Sequence, residues 1–275
     1  MRETKQLKPV TKKLKGVSLK KAPKKRPPKK KISLSPWPVI ALVAVLISGI
    51  GISWFITVRD FGTGAKIPSG YKEFCVDVSH HNGEIVWDSL RLATLPGGRT
   101  TRDLKKATAI LPISRIILKA TEGASLTDDR FDAWWAEAGA IDIQRGAYHF
   151  FRSSKDARTQ AEHYIAHVKL RSSDLPPVLD VETIHLGCTD KQLCDGVLTW
   201  LEIVEKHYGR KPIVYTGDSF ARDHLSADIT EHYPLWIARY NELPPVTEDW
   251  TMWQFTDKAV VHGIKGHADL SVIRP

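Results

Sequence analysis

The sequence predicts an α/β fold in which eight strands close into a barrel, preceded by one transmembrane helix. Short apolar stretches with strand character recur eight times between residues 74 and 273, and helical patterns separate the earlier ones. Strands that alternate with helices form parallel sheets with right-handed crossovers. The last three strands follow one another without a long helix, so we expect the barrel to end in strands alone.

Two periodicities define the predicted elements. Apolar residues at i, i+3, i+4 and i+7 predict helices over residues 131–138, 157–168 and 193–204. Residues 91–112 follow neither pattern, and we interpret them as an inserted helix and loop that has no assigned place in the barrel. The predicted strands are Phe74–Ser79, Arg115–Ala120, Gln144–Phe150, Pro177–Glu182, Pro212–Thr216, Leu235–Arg239, Thr251–Phe255 and Ala268–Ile273.

Charge is distributed unevenly along the chain. Residues 1–31 contain 14 Lys and Arg against one acidic residue, whereas residues 32–275 contain 26 basic and 30 acidic residues. The body is therefore mildly acidic, which does not favour a nucleic-acid-binding body. Residues 1–36 are poor in large apolar residues and are predicted to be a disordered tail. Two roles stay open for the tail: topology alone, or weak contact with anionic lipid or nucleic acid.

An uncharged apolar stretch follows the tail. Residues 37–58 contain no charge over 22 positions, with Trp37 and Trp54 near the two ends. That length spans a bilayer, and a cleavable signal peptide has a shorter apolar core. We expect a single-pass anchor in the cell (inner) membrane with the basic tail cytoplasmic. Residues 59–72 then form a linker, and residues 73–275 form the domain on the outer side.

Four carboxylates are predicted to meet at one mouth of the barrel. Asp180 and Glu182 share one face of a strand, with Cα atoms about 6.5–7 Å apart. Asp77 lies near the end of the first strand, and Asp269 lies in the last. The first and last strands are neighbours when a barrel closes, and chemistry occurs where barrel strands end. Like charges this close raise at least one pKa, which keeps a carboxyl group protonated for acid catalysis.

Aromatic side chains are predicted to line the same mouth, namely Tyr148, Tyr215, Trp236 and Trp253. Carboxylates beside aromatic platforms are typical of glycoside cleavage, in which one acid protonates the leaving oxygen and rings stack on sugars.

Other polar residues have simpler interpretations. His80 and His81 are adjacent and therefore point to opposite faces, so we expect loop hydrogen bonding and no metal site. His149 is expected to be a hydrogen-bonded core residue. Glu122 either orients other groups of the site or caps the next segment, and both roles stay open. Cys75 is predicted to be a buried free thiol, whereas Cys188 and Cys194, six residues apart, either form a loop-closing disulfide or stay reduced.

Seven stretches of the body occur in the order typical of one family. They are Val76-Asp-Val-Ser-His-His-Asn-Gly83, Ile117-Leu-Lys-Ala-Thr-Glu-Gly123, Gly146-Ala-Tyr-His-Phe-Phe151, Pro177-Val-Leu-Asp-Val-Glu182, Pro212-Ile-Val-Tyr-Thr216, Leu235-Trp-Ile-Ala-Arg-Tyr240 and Met252-Trp-Gln-Phe-Thr256. By these stretches, residues 73–275 resemble the family 25 glycoside hydrolases, which are N-acetylmuramidase lysozymes.

The resemblance implies a TIM-like barrel with five βα units followed by three further strands. It also implies cleavage of the β-1,4 bond between N-acetylmuramic acid and N-acetylglucosamine in peptidoglycan, without metal or cofactor. Matched by motif, Glu182 is the proton donor and Asp180 stabilises the intermediate. Asp77 and Asp269 are the other site acids, and Tyr148 is a site tyrosine. Gln254, in the last of the seven stretches, is a further predicted substrate contact.

One position departs from the family pattern. The family's last strand reads Asp-x-Asn, whereas this chain has Asp269-Leu-Ser271, so a contact at the edge of the site is in question. Two alternatives to the muramidase remain. One is a wall-binding module that holds glycan without cleaving it, and the other is a protein whose basic tail tethers a cytoplasmic partner or nucleic acid.

Overall fold

A computed structural model describes residues 63–275. Eight strands form a barrel-like sheet whose ends meet, because β2 (Phe74–Val78) pairs with β13 (Ala268–Ile273) on one side and with β6 (Arg115–Glu122) on the other. A short further strand, β7 (Leu126–Thr127), pairs with the end of β6. Neighbouring strands are parallel except at the two pairings made by β13, which are antiparallel. In their order around the sheet, the eight strands are β2 (Phe74–Val78), β6 (Arg115–Glu122), β8 (Gln144–Phe150), β9 (Val178–Asp180), β10 (Ile213–Gly217), β11 (Leu235–Ala238), β12 (Trp250–Ala259) and β13 (Ala268–Ile273).

The eight predicted strands are all found, with ends that differ by a few residues. The sheet is buried on both faces, which explains why its strands are nearly continuous apolar runs. Inward-facing Cys75, Ile117, Val178 and Met252 belong to one buried cluster inside the sheet. The buried free thiol predicted at Cys75 is therefore confirmed. A larger cluster fills the space between the outer face of the sheet and the helices.

Helices follow the earlier strands and cover the outer face of the sheet. They are α1 (Phe131–Ala138), α2 (Ala157–His167), α3 (Asp190–Tyr208), α4 (Asp218–His224) and α5 (Ala227–Thr230). The longest, α3, begins with a capping box between Thr189 and Gln192 and ends at Gly209, which adopts the left-handed conformation. Its buried stripe includes Leu193, Val197 and Trp200, as the helical spacing predicts.

A second sheet forms where we expected an inserted helix and part of a linker. Four short strands are ordered β1-β4-β3-β5: β1 (Thr63–Lys66), β3 (Arg91–Thr94), β4 (Arg99–Thr101) and β5 (Ala109–Pro112). The helix predicted within residues 91–112 is therefore wrong, and residues 63–66 of the predicted linker are a strand.

Glycine positions explain part of this second sheet. A Cβ atom on Gly64 would lie 2.3 Å from Thr100 Oγ1 and 2.5 Å from Val260 N, so only glycine permits this close approach. Gly97 and Gly98 both have positive φ and turn the chain between β3 and β4. Strands of three or four residues are too short to show a periodic pattern, which is why the sequence did not predict them.

Of the two alternatives left open for Cys188 and Cys194, the structure shows the reduced one, because both thiols are free. The Sγ atom of Cys194 lies on the buried side of α3 and donates to the carbonyl of His224 at 3.2 Å. The Sγ atom of Cys188, before the helix, donates to the carbonyl of Thr189 at 3.6 Å. The start of α3 therefore directs the two thiols to different partners.

No helix among residues 63–275 combines the length and the apolar character needed to cross a bilayer. The predicted tail and the anchor predicted at residues 37–58 lie outside the described residues.

Candidate active site

A cleft of about 240 Å³ opens at the end of the barrel where the parallel strands terminate. The four acids predicted from the sequence all line this cleft, together with three of the four predicted aromatic residues. The complete set of lining residues is Asp77, Ser79, His81, Lys119, Tyr148, Phe150, Asp180, Glu182, Tyr215, Trp236, Tyr240 and Asp269.

Asp180 is the last residue of β9 and is only 7 % exposed. The Oδ1 atom of Asp180 is buried and has no hydrogen-bond partner among the described residues. Burial, followed by the nearby charges of Glu182 and Asp77, raises the pKa of Asp180 well above its ordinary value. A buried acceptor without a partner carries a desolvation cost, so this oxygen is suited to a donor or a positive charge arriving with a ligand.

Glu182 lies two residues beyond Asp180 and is exposed to solvent at the mouth of the cleft. Burial of the carboxyl by the cleft walls raises its pKa, although Arg152 and Lys119 act in the opposite direction. The result is an accessible carboxyl group with a raised pKa. A raised pKa is the direction of shift that a general acid requires.

Asp77 and Asp269 face each other across the antiparallel pairing of β2 and β13. Burial raises the pKa of Asp77 well above its ordinary value, and the charge of Asp269 adds to this effect. Burial, with a further contribution from Asp257, raises the pKa of Asp269 to about 6. The two carboxyl groups hydrogen-bond each other, so the pair shares a proton over part of the pH range.

Gln254 lies behind the Asp77–Asp269 pair and hydrogen-bonds to Asp77. Its Nε2 atom donates to Asp77 Oδ1 at 3.0 Å and to Oδ2 at 3.1 Å. Its Oε1 atom accepts from the hydroxyl groups of Tyr215, at 2.8 Å, and Tyr240, at 2.7 Å. Gln254 is 1 % exposed and lies outside the set that lines the cleft. The structure thus places this residue behind the acids, where we had expected a direct substrate contact.

Trp236 and Trp253 lie on opposite sides of the sheet. Trp236 faces the cleft, packs against Tyr215 with ring centroids 4.6 Å apart and donates from Nε1 to Ser271 Oγ at 2.9 Å. Trp253 lies on the outer face of the sheet, in the hydrophobic core between the sheet and the helices, where its Nε1 donates to the carbonyl of Arg239 at 2.8 Å. The expectation that Trp253 lines the cleft is therefore corrected, because the inward position on β12 belongs to its neighbour Gln254.

Ser271, where the family pattern has Asn, is fully buried inside the barrel. Its hydrogen bond to Trp236 gives this position a role in supporting the floor of the cleft. The departure from the family pattern therefore affects a group beneath the cleft rather than one of its four acids.

Two cations and one acid flank Glu182. The Nζ atom of Lys119 lies 2.6 Å from Glu122 Oε2, and Arg152 Nε lies 2.9 Å from Glu122 Oε1. Both cations also pack on the ring of Phe150, with Lys119 Nζ 5.3 Å and Arg152 Cζ 4.4 Å from its centroid. Burial opposes ionisation of Glu122, but the hydrogen bonds from the two cations outweigh it and lower its pKa. Of the two roles left open for Glu122, the structure favours the orienting one.

Five lining residues were not predicted as site residues: Ser79, His81, Lys119, Phe150 and Tyr240. Most of them lie at or just beyond the end of a barrel strand, so their position relative to the strand ends was an available signal. Lys119 follows the inward-facing Ile117 at a spacing of two, which is the signal for that residue.

His149 and His80 make the hydrogen bonds that the sequence suggested. His149 is fully buried between Thr121 Oγ1, at 2.7 Å from Nδ1, and Gln160 Oε1, at 3.2 Å from Nε2. Burial lowers the pKa of His149 to about 3. His80 Nδ1 lies 2.8 Å from Asp128 Oδ2, and these two residues with Asp129 could hold a metal ion. The carboxylate of Asp128 also accepts the backbone N–H groups of His80 and Arg130, so it joins the loop after β2 to its own loop.

Comparisons with known proteins agree with this geometry. The model of the family described as "Glycosyl hydrolases family 25" matches residues 76–264. The uncharacterized protein YegX of Escherichia coli (strain K12) is 34 % identical over 209 residues, which are 75 % of this chain and 71 % of YegX. Lysozyme M1 of Streptomyces globisporus is 29 % identical over 213 residues, covering 70 % of this chain and 65 % of that protein.

Solved structures give the same result. A family 25 glycosyl hydrolase from Bacillus anthracis has a TM-score of 0.63 at 26 % identity, over 78 % of this chain and 93 % of that one. A bacterial lysozyme from Streptomyces coelicolor has a TM-score of 0.62 at 25 % identity, over 75 % and 94 % of the two chains.

Proposed function

The chain belongs to glycosyl hydrolases family 25, and from this premise we propose that it is a muramidase. Its reaction is the hydrolysis of the β-1,4 bond between N-acetylmuramic acid and N-acetylglucosamine in peptidoglycan. Relatives named as lysozymes in Streptomyces globisporus and Streptomyces coelicolor support this substrate. The chain covers most of the length of the second of these, so the likeness includes the whole barrel.

Glu182 is the general acid in this proposal. Its carboxyl group is exposed at the cleft mouth with a raised pKa, so a protonated fraction persists at a pH where an ordinary glutamate is ionised. The proton passes to the glycosidic oxygen as the bond to the anomeric carbon breaks. Lys119 and Arg152 oppose this rise in the pKa of Glu182 and so limit it.

Asp180 stabilises the positive charge that develops on the sugar. Its unpartnered Oδ1 atom is an acceptor for the N–H of the substrate's N-acetyl group. The positive charge that develops on the sugar offsets the burial that raises the pKa of Asp180, so the ionised carboxylate also serves as a counter-charge for the oxocarbenium-like centre. In both roles Asp180 acts in the transition state more strongly than in the ground state, as catalysis requires. Tyr148 remains a hydrogen-bond donor, because burial and the charge of Asp180 raise its pKa well above the ordinary value.

The observation that carries this proposal is the pairing of an exposed, raised-pKa Glu182 with a buried, unpartnered Asp180 two residues away. It is tested by incubating the full chain with purified peptidoglycan and resolving the soluble products by mass spectrometry. Products with N-acetylmuramic acid at the reducing end support the muramidase. Products with N-acetylglucosamine there, or tight glycan binding without products, contradict it and favour another linkage or the binding module.

We further propose that this enzyme is a single-pass protein of the cell (inner) membrane and that its barrel belongs to the TIM-like class. The 22 uncharged residues at 37–58 and the basic segment before them support an anchor with the N-terminus cytoplasmic. The catalytic domain, residues 73–275, then faces the cell wall. The helices that follow β6, β8, β9 and β10 support the fold class, although the described residues between β2 and β6 contain no α-helix. Protection of the domain from protease in intact cells, lost when the envelope is opened, is the expected result for this location, whereas recovery in the soluble cytosol contradicts it.

A further inference from the structure

The walls of the cleft carry charge of opposite sign on different sides. Four acids line it, namely Asp77, Asp180, Glu182 and Asp269, while Lys119 is the one lysine or arginine among the described lining residues. Arg152 is not among the lining residues, but it packs on the ring of the lining residue Phe150, as Lys119 does. An anionic group of a ligand would be repelled by most of the cleft and attracted to this one side.

The two cations are not neutralised by their shared acid. Glu122 is the acidic partner of both, through Oε2 for Lys119 and Oε1 for Arg152. Two positive charges against the one negative charge of Glu122 leave these three residues with a net charge of +1, which is uncompensated while the adjacent Glu182 is protonated. Lys119 has 11 % and Glu122 17 % of its side chain exposed, whereas Arg152 has 44 % exposed. The uncompensated charge is therefore presented to solvent chiefly through the guanidinium of Arg152.

The register of the sheet places this charge beside the catalytic acid. β8 and β9 are parallel neighbours, and Phe150 is paired with Asp180. Arg152 and Glu182 each lie two residues beyond this pair, at the same C-terminal edge of the sheet. The packing of Arg152 on Phe150 and its bond to Glu122 hold the guanidinium in one place, which lowers the entropy lost when it binds a ligand.

We propose that Lys119 and Arg152 form a carboxylate-binding subsite that makes the enzyme selective for muramic acid residues with an anionic side group. This inference rests on the proposed function, because a muramidase places the lactyl-bearing sugar directly beside its acid. The carboxylate is either the free lactyl group of a strand without peptides or a carboxylate of the stem peptide. The planar fork of an arginine suits a carboxylate, and an aromatic ring beneath it helps to fix the fork.

The test uses the full chain, wild type beside Arg152→Gln, on two pairs of substrates. The first pair is glycan strands freed of stem peptides, with the lactyl carboxylates intact or converted to neutral methylamides. The second pair is uncrosslinked strands that retain their peptides, with the peptide carboxylates intact or converted in the same way. The readout is the ratio of kcat/KM for the charged form to that for the neutral form of each pair.

We expect the wild type to prefer the charged form in at least one pair, and Arg152→Gln to reduce that ratio about tenfold, mainly through KM. A reduction in the first pair assigns the lactyl carboxylate, and a reduction in the second assigns the stem peptide. Arg152→Lys, which keeps the charge without the fork, should retain part of the preference. Arg158→Gln, an exposed arginine on α2, is the matched control and should keep the full ratio.

Two results overturn the inference but leave the proposed muramidase activity standing. One is a wild type that cleaves charged and neutral strands equally well, and the other is an Arg152→Gln variant that keeps the wild-type ratio of kcat/KM for the charged form to that for the neutral form. A variant that loses activity equally on both forms also overturns it, because Arg152 then acts only on Glu182 or on folding. If the wild type releases no muramidase product from any strand, the proposed function fails instead.

Discussion

Gln254 is predicted to determine how the Asp77–Asp269 pair is charged, although it does not reach the cleft. The perturbation is Gln254→Leu, which keeps the approximate volume and removes every polar atom of the side chain. Asp77 loses two hydrogen bonds, at 3.0 and 3.1 Å, and the hydroxyl groups of Tyr215 and Tyr240 lose their acceptor. The bonds to Asp77 lower its pKa, so their removal raises that pKa further and increases the protonated fraction at neutral pH.

The magnitude follows from these contacts. Hydrogen bonds to a charged group contribute about 1.5–3 kcal/mol each, and a single amide that serves both oxygens is worth on the order of 2–4 kcal/mol in total. At about 1.4 kcal/mol for each factor of ten, kcat/KM should fall by roughly 30- to 1000-fold. The assay is the rate of soluble muropeptide release from purified peptidoglycan between pH 4 and pH 8, with thermal unfolding measured on the same samples.

Gln254→Glu separates positioning from simple packing. A protonated glutamic acid at this position still accepts from both tyrosines and donates one hydrogen bond to Asp77. An ionised glutamate places a second negative charge against Asp77. We therefore expect this variant to retain activity on the acidic side and to lose it progressively as pH rises. The reasoning is refuted if Gln254→Leu, folded, keeps the wild-type rate and pH profile, or if Gln254→Glu shows no dependence on pH beyond that of the wild type.

Three further predictions concern stability and the support of the cleft. Asp269 has its pKa raised to about 6 in the folded protein, so the stability that it contributes is present at low pH and is lost as pH rises through about 6. Asp269→Asn should therefore stabilise the protein at pH 7.5 by on the order of 1–3 kcal/mol, seen as a Tm several °C above that of the wild type. The difference in Tm should shrink at pH 4. Ser271→Ala removes the acceptor of Trp236 Nε1 and should cost about 1 kcal/mol by chemical denaturation, with a Ser271→Thr variant as the conservative comparison. The guanidinium of Arg145 is 4 % exposed and lies 2.9 Å from the carboxylate of Asp174. Asp174→Ala leaves this buried charge without its partner and should destabilise the barrel by about 3–5 kcal/mol, while KM stays at the wild-type value. An unchanged Tm contradicts the assignment of a buried ion pair.

The strand pattern was enough to predict the barrel and the meeting of its four acids. Asp77, Asp180 and Glu182 follow short apolar runs, and parallel strands bring their ends to one rim, so their convergence follows from chain direction alone. Asp269 joins them because β13 closes the sheet against β2. No information on side-chain contacts was required for any of these placements.

The parts that were missed depend on details that a pattern does not contain. Trp253 and Gln254 are adjacent, and only the register of β12 decides which of them faces inward. The second sheet contains strands of three or four residues held by a close approach at Gly64, which leaves no periodic signal. Cys188 and Cys194 are near in sequence, which left both a disulfide and free thiols open; the first turn of α3 gives the two thiols different partners.

The cluster of Lys119, Glu122, Phe150 and Arg152 could not be predicted from the sequence for a similar reason. Lys119, Glu122 and Phe150 belong to two different strands, and Arg152 follows the second of them. Only the parallel register of β6 and β8 brings the four side chains together. Glu122 consequently had two open roles until its partners were known.

The central claim is that Glu182 donates the proton. The measurement that tests it most directly is kcat on purified peptidoglycan for the full chain, comparing wild type, Glu182→Gln and Glu202→Gln, an exposed glutamate on α3 that serves as control. We expect Glu182→Gln to lose about 10²- to 10⁴-fold in kcat with a Tm no lower than that of the wild type, since the pKa of Glu182 is also raised in the folded protein, and the control to match the wild type. A folded Glu182→Gln variant that turns over at the wild-type rate would contradict the account.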